Sequence, residues 1–209
     1  MKKNFALLLL TFPMFAQVNT DTIPKTNPII FTEGFAGFAG SDNGGMWFSG
    51  VNLNYQFNKT DLLTAKYSFN QALQSRYVYL SPFVTFPILE EQEIQNEWAL
   101  LYGKRWIDKG FSYGVSAGIS YVDRQYLDQN NENVFRYYKE NYFGVAYEFN
   151  IKWFKKDKKR FRALYGIIPV TKRKVAFGRS VGFKLVGNFS RNNYIGLGMS
   201  YGFGWHKKY

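Results

Sequence analysis

The amino-acid sequence predicts an all-β protein, an antiparallel transmembrane β-barrel of eight strands, with ten strands as the alternative. Beyond residue 28, apolar residues alternate with small or polar ones at a period of two. Aromatic residues form 20% of the chain, more than a soluble core of this size can bury, whereas a lipid-facing surface accommodates them. No later run reaches the ~18 consecutive apolar residues of a transmembrane helix. A closed barrel is the other way to satisfy the backbone in lipid.

The N-terminal segment has the pattern of an export signal. Lys2 and Lys3 give it a basic start, residues 5–12 are apolar, and Ala16 is a small residue suited to a cleavage site. We therefore predict a signal peptide at residues 1–16. Residues 17–28, rich in Thr, Asn and Pro, are expected to be a flexible lead-in, and residues 29–209 are expected to form the barrel.

The alternation predicts eight strands separated by turn-forming residues. They are expected near residues 29–39, 46–57, 62–71, 94–106, 111–122, 141–153, 175–189 and 194–205. Tight turns are predicted at residues 58–61, 108–110 and 190–193, and longer loops at residues 72–94 and 123–140.

The strand count depends on two ambiguous segments. Short strands at residues 76–86 and 161–167 would raise the number to ten. The eight-strand interpretation instead treats residues 155–174 as an elaborated connection. That choice places a long connection on the side of the barrel that otherwise has short turns.

The residue types on the second face of each strand distinguish a membrane barrel from a soluble barrel. A soluble barrel should be rich in Lys, Glu and Asp on that face. In the last strand it consists of Gly196, Gly198, Ser200, Gly202 and Gly204. Small residues fit a narrow lumen, so the pattern favours the bilayer. A soluble secreted β-barrel binding protein is the alternative.

Charged residues on the lumen side are the candidates for an interior site. They are Lys66, Glu97, Arg105, Glu148, Lys152 and Lys184. In a low-dielectric interior they must pair or meet water, and we expect a salt-bridge network that fills the barrel. A narrow porin-like channel for small ions or solutes is the alternative, although side chains can fill an eight-stranded lumen.

The sequence offers no pattern for catalysis or metal binding. It has no cysteine and a single histidine, whereas a metal site needs several such ligands and a catalytic triad needs a histidine within a formed site. His206 is interpreted as an end-of-strand residue at the membrane interface. We therefore predict no catalytic residue, no metal and no cofactor, and we do not expect an enzyme.

The most basic stretch covers residues 152–174. Its candidate contacts with anionic lipid headgroups are Lys155, Lys156, Lys158, Lys159, Arg160 and Arg162. Each such residue near a membrane surface contributes about 1 kcal/mol. A solvated loop is the alternative, and export argues against nucleic acid as a partner.

These features together resemble the small outer-membrane β-barrel proteins of Gram-negative bacteria, the OmpA/OmpX-like family. The resemblance covers residues 29–209 and includes an aromatic-rich last strand ending in Trp205 and Tyr209. It implies an outer-membrane location among lipid and lipopolysaccharide, and assembly by the barrel-assembly machinery, which recognises a terminal aromatic. Lys207 and Lys208 interrupt that signal. The resemblance also implies a structural or surface-interaction role, but it names no extracellular ligand, since one fold hosts many functions.

Overall fold

The computed structural model describes residues 27–42, 44–81, 84–128, 136–163 and 168–208. Within these ranges, the side chains of residues 73–91, 128, 136–137, 159, 161–163 and 168–173 are not described. The predicted signal peptide and nearly all of the predicted lead-in lie outside the described residues. In the part of the chain that is described, no helix is long and apolar enough to cross a membrane.

Ten strands are present in the described ranges. They are β1 (Ile29–Ser41), β2 (Gly44–Phe57), β3 (Asp61–Ser81), β4 (Val84–Asp108), β5 (Phe111–Asp128), β6 (Arg136–Phe154), β7 (Lys159–Ala163), β8 (Ile168–Val175), β9 (Gly178–Phe189) and β10 (Tyr194–Gly204). Eight of them form a closed barrel in the order β1-β10-β9-β6-β5-β4-β3-β2, and β7 pairs only with β8. The predicted eight-stranded barrel is confirmed.

The barrel closes through an antiparallel ladder between its first and last strands. The register runs from Phe31 opposite Gly204 to Ser41 opposite Tyr194. Each barrel strand therefore has a partner on both sides. Closure leaves no unpaired strand edge in the barrel wall, where backbone groups without hydrogen-bond partners would be strongly unfavourable in lipid.

The two ends of the barrel differ in their connections. One end carries the turns at residues 58–60 and 109–110, the β6–β9 connection and both described chain ends; we call it the short-turn end. Asn58 and Lys109 adopt φ values of 52° and 51° there, the left-handed conformation that tight turns use. The opposite end carries the β3–β4 hairpin and is called the hairpin end.

Two of the predicted loops are wrong. Residues 72–94 are not a loop, because β3 and β4 stay paired from Ala72 opposite Glu93 to Ser81 opposite Val84, with a bulge after Ala72. β5 and β6 likewise extend into the predicted loop at residues 123–140 and pair up to Asp128 opposite Arg136. The segment 76–86 is rich in Tyr, Val and Phe, residues that favour strands, and it lengthens the barrel strands rather than adding another.

The predicted connection at residues 155–174 is a β7–β8 hairpin that lies outside the barrel sheet. It joins β6 to β9 at the short-turn end. The long connection thus sits on the side where the other connections are short, as the eight-strand interpretation required.

The large apolar side chains point outward. Leu53, Ile119, Phe149 and Leu197, on four different strands, expose 56%, 69%, 42% and 62% of their surface. Along β10, buried and exposed residues alternate without interruption. A protein in water would bury such residues, whereas a barrel in lipid presents them. The predicted outward orientation is therefore confirmed.

Aromatic side chains form two girdles on the barrel exterior, one near each end. Near the short-turn end, Trp106 stacks on Tyr113, and near the hairpin end Trp98 contacts Tyr121. Eight residues of β4 separate the two tryptophans, about 27 Å along a strand and about 20 Å along the axis of a barrel whose strands tilt by about 40°. This height is close to the apolar band of about 25 Å that membrane barrels show between their aromatic girdles.

Candidate functional site

The middle of the barrel interior is occupied by a four-membered ion network. Glu33 on β1 pairs with Lys152 on β6 and with Lys184 on β9, and the ammonium of Lys184 also lies 3.1 Å from a carboxylate oxygen of Glu148. The amide of Asn52 donates to both carboxylates, at 3.1 Å to Glu33 and 3.0 Å to Glu148. All five side chains are buried. The network thus ties together strands on opposite sides of the barrel.

A second ion pair lies nearer the hairpin end. The ammonium of Lys66 is 2.8 Å from Oε1 of Glu97. The other carboxylate oxygen of Glu97 accepts from the Tyr194 hydroxyl at 2.7 Å and from the Asn188 amide at 2.8 Å. That amide also donates to Ser120 at 2.8 Å. The Glu97 carboxylate thus receives three donors, which satisfy it without bulk water.

Apolar rings fill the space beside this pair. Phe35, Met46, Phe48 and Val186 are buried in one cluster that also contacts Tyr194. The rings fit because glycines face them: a Cβ atom on Gly50 would lie 2.5 Å from the Phe35 ring. Phe48 likewise covers Gly196 and Gly198, where a Cβ atom would lie 2.6 Å and 2.9 Å from its ring. The small residues of the lumen therefore make room for rings from strands one or two positions away in the barrel.

Arg105 closes the short-turn end. Its guanidinium donates twice to Ser112, at 3.1 and 3.0 Å, and once each to the Gln56 side chain at 3.0 Å and the backbone carbonyl of His206 at 2.9 Å. The same group lies over the rings of Phe31 and Phe154, 4.8 and 5.5 Å from their centres. Donation to neutral acceptors and contact with ring faces stabilise this buried cation.

The interpretation of His206 as an interfacial residue is wrong. Its ring is 2% exposed and lies between Phe31 and Phe154, with ring centres 4.9 and 5.5 Å away. The backbone of Trp205 donates to Ile30 at 2.8 Å, which turns the segment after β10 across the mouth. His206 directly follows Trp205 and continues the lumen-facing phase of Gly202 and Gly204, so the period-two alternation could have placed it inside the barrel.

A third charged cluster lies at the hairpin end, where its residues line a cavity of about 380 Å³. Arg124 makes a two-pronged contact with Glu93, at 2.8 and 2.7 Å, and reaches Glu140 at 2.7 Å. Asn192 donates to Glu93 at 2.7 Å, and Arg191 lies 3.1 Å from Glu140. These contacts join β4, β5, β6 and the β9–β10 turn.

The structure places all six lumen candidates inside the barrel, each with 3% exposure or less. It brings five of them into the two ion networks and leaves Arg105 at the short-turn mouth. Sequence reasoning missed Glu33, the hub of the central network. Of the candidate lipid contacts, Lys155, Lys156, Lys158 and Arg160 are exposed, whereas the side chains of Lys159 and Arg162 are outside the described set.

Comparisons with known proteins identify solved structures of similar fold at low sequence identity. No protein-family profile and no curated protein match the chain. The N-terminal β-barrel domain of Pseudomonas aeruginosa OprF aligns with 85% of this chain and 98% of its own, at 12% identity and a TM-score of 0.45. Neisserial surface protein A aligns at 9% identity over 83% and 95%, with a TM-score of 0.44. Ail of Yersinia pestis aligns at 12% identity over 83% and 96%, with a TM-score of 0.38. At these identities the likeness concerns the fold alone.

Proposed function

We propose that this protein is an integral outer-membrane β-barrel, closed to solutes, that acts as a rigid anchor for a hairpin at the cell surface. The observation that carries the proposal is the filled interior inside an apolar, aromatic-girdled exterior. Its role is thus structural or one of surface interaction rather than catalysis.

The interior supports a closed barrel rather than the narrow channel that the sequence left open. Asn52 on β2 spans the lumen to Glu148 on β6, and Phe48 covers Gly196 and Gly198 on β10. Five of the six charged lumen candidates lie in ion pairs, and Arg105 is held by neutral acceptors and aromatic rings. An ion entering this lumen would have to separate buried ion pairs, which is strongly unfavourable.

Planar-bilayer recording tests the closed barrel directly. We expect the refolded protein to insert without discrete conductance steps, because the buried side chains of the ion network occupy the lumen. Insertion is verified separately by an SDS gel, on which a closed barrel migrates differently before and after boiling. Reproducible steps from heat-modifiable protein would contradict the closed barrel and favour the narrow channel.

The β3–β4 hairpin supports a role at the surface. β2 pairs with β3 only as far as Ala72, and β5 pairs with β4 only as far as Glu93. Beyond these residues, within the described part of the chain, β3 and β4 pair only with each other, for about 30 Å. An unpaired strand edge can add a strand from another chain, so this hairpin is the surface best suited to hold a partner.

Epitope insertion tests the orientation. A tag inserted after Ser81, where β3 ends, is expected to bind antibody on intact cells, because membrane barrels place their long connections outside and their short turns in the periplasm. The same tag inserted between Asp157 and Lys158 is the control and should react only after the outer membrane is permeabilised. The reverse pattern of antibody binding would overturn the proposed orientation. If neither tag binds antibody and the protein does not fractionate with membranes, the proposed location is overturned.

A further inference from the structure

A buried histidine lies in the mouth of the barrel at the short-turn end. His206 is 2% exposed, and its ring lies between those of Phe31 and Phe154, with centres 4.9 and 5.5 Å away. Neither ring nitrogen has a hydrogen-bond partner among the described residues. Burial without a partner is unfavourable for a polar group and more unfavourable for a charged one. The site therefore accepts the neutral ring and disfavours the protonated ring.

Charged groups from three strands face this ring. Arg105 on β4 and Lys152 on β6 are cations, and Glu33 on β1, which pairs with Lys152, is a carboxylate. β9 contributes the backbone of Gly178, which favours the protonated ring. Burial and the two cations outweigh the carboxylate and the backbone, and they lower the pKa of His206 from 6.5 to about 3. The ring in the mouth is thus neutral at neutral pH.

The ring anchors a short segment that crosses the mouth. We call residues 205–208, which follow β10, the latch. Arg105 donates to the backbone carbonyl of His206 at 2.9 Å. His206 is the buried side chain of the latch, whereas Lys207 is partly exposed and Lys208 is exposed. These two lysines add like charge on the segment itself, so that the apolar contacts of the neutral ring are what hold the latch in place.

A released latch would place the imidazole in water, where its pKa is about 6.5. In the mouth the pKa of His206 is about 3. Between these two values the released form binds more protons than the latched form, so the stability of the latched form falls as the pH decreases. Each pH unit below about 6.5 shifts the equilibrium about tenfold towards release. Above about 6.5 the stability of the latched form is fully retained.

We propose that the latch is released by acid: protonation of His206 expels residues 205–208 from the short-turn mouth, and the neutral ring keeps them there. A charged ring would add a third cation beside Arg105 and Lys152. Release removes a backbone acceptor from Arg105, and it frees the Asn27 side chain, which donates to the carbonyl of Lys207 at 2.8 Å. The device goes beyond an anchoring role, because it changes access to the mouth while the eight barrel strands stay paired.

The first measurement follows the imidazole of the refolded full chain by NMR in detergent micelles, from about pH 8 to about pH 4. The sequence contains a single histidine, so the ring signals belong to His206 without further assignment. We expect the signals of a buried neutral ring at high pH and the growth of a protonated form as the pH falls, with half conversion clearly below about 6.5.

A spin label reports whether the segment moves. The sequence has no cysteine, so Lys208→Cys provides the sole thiol for a nitroxide, and its spectrum should change from restricted to mobile over the pH range in which the ring is protonated. In this labelled chain, His206→Phe keeps an apolar ring between Phe31 and Phe154 and cannot be charged. Its label should stay restricted down to about pH 4. The matched control Lys109→Gln removes an exposed charge at the same end and should keep the acid response.

Three results would overturn the latch. Half conversion at about 6.5 or above would mean that the ring already lies in water at neutral pH. Equal mobilisation of the label in the His206→Phe chain would assign the acid response to another group. A label that stays restricted down to about pH 4, whether or not the ring is protonated, would show that the segment is not released. If the His206→Phe chain does not show heat-modifiable migration on an SDS gel, His206→Leu takes its place with the same expected result.

Discussion

Replacement of Glu33 by Gln is expected to lower the free energy of unfolding of the barrel by about 3–5 kcal/mol, the range for breaking a buried ion pair. The substitution keeps the shape of the side chain and its hydrogen bond with Asn52 but removes the charge between Lys152 and Lys184. Those two ammonium groups then share only Glu148, and Lys184 alone contacts it. Urea unfolding of the refolded protein, followed by tryptophan fluorescence, measures the loss.

An exposed pair provides the matched control. The ammonium of Lys139 lies 2.9 Å from Asp123, but its side chain is 55% exposed. Asp123→Asn should therefore change the unfolding free energy by less than about 1 kcal/mol. Adding Lys152→Met to Glu33→Gln should restore part of the loss, because Lys152 is the cation that the first substitution leaves without its carboxylate partner. A Glu33→Gln loss as small as that of the control would mean that water solvates the network, and would favour the channel.

The position of Glu33 shows where sequence reasoning about the interior fails. On β10 the lumen face is Gly and Ser and the lipid face is apolar, so alternation alone orients the strand. β1 reverses this pattern: Phe31, Glu33 and Phe35 face the lumen, and Thr32 faces out. The reversal arises because the rings of β1 fill space left by glycines on other strands. The registers with its two neighbours, which set Glu33 opposite Gly202 on β10 and Asn52 on β2, reveal its orientation.

The ends of the barrel were also harder to predict than its wall. Alternation located all eight barrel strands, because lipid on one side and a narrow lumen on the other constrain every second residue. Beyond Ala72 and Glu93 the strands leave the barrel wall, so lipid and lumen no longer impose alternation on the sequence. Pairing there depends on the contact of β3 with β4.

Replacement of Ala117 by Lys is expected to destabilise the protein by about 2–4 kcal/mol, the penalty for a lysine at the bilayer midplane. Ala117 faces outward on β5, midway between Tyr113 and Tyr121, which belong to the two aromatic girdles. Its exposed side chain leaves room for a larger one. In a protein surrounded by water, the same exchange at an exposed site would stay within about 0.5 kcal/mol.

The comparison with Ala117→Met isolates the effect of charge. Methionine has nearly the length of lysine and no charge, so its outward placement in lipid should leave the unfolding free energy unchanged or slightly increased. Urea unfolding of both variants in phospholipid vesicles gives the difference directly. If lysine and methionine prove equally stable at this position, hydrocarbon does not surround the barrel, and the apolar exterior must be covered by something else. A difference of the expected size ties the outward orientation of the side chains to the bilayer itself, independently of any likeness to known barrels.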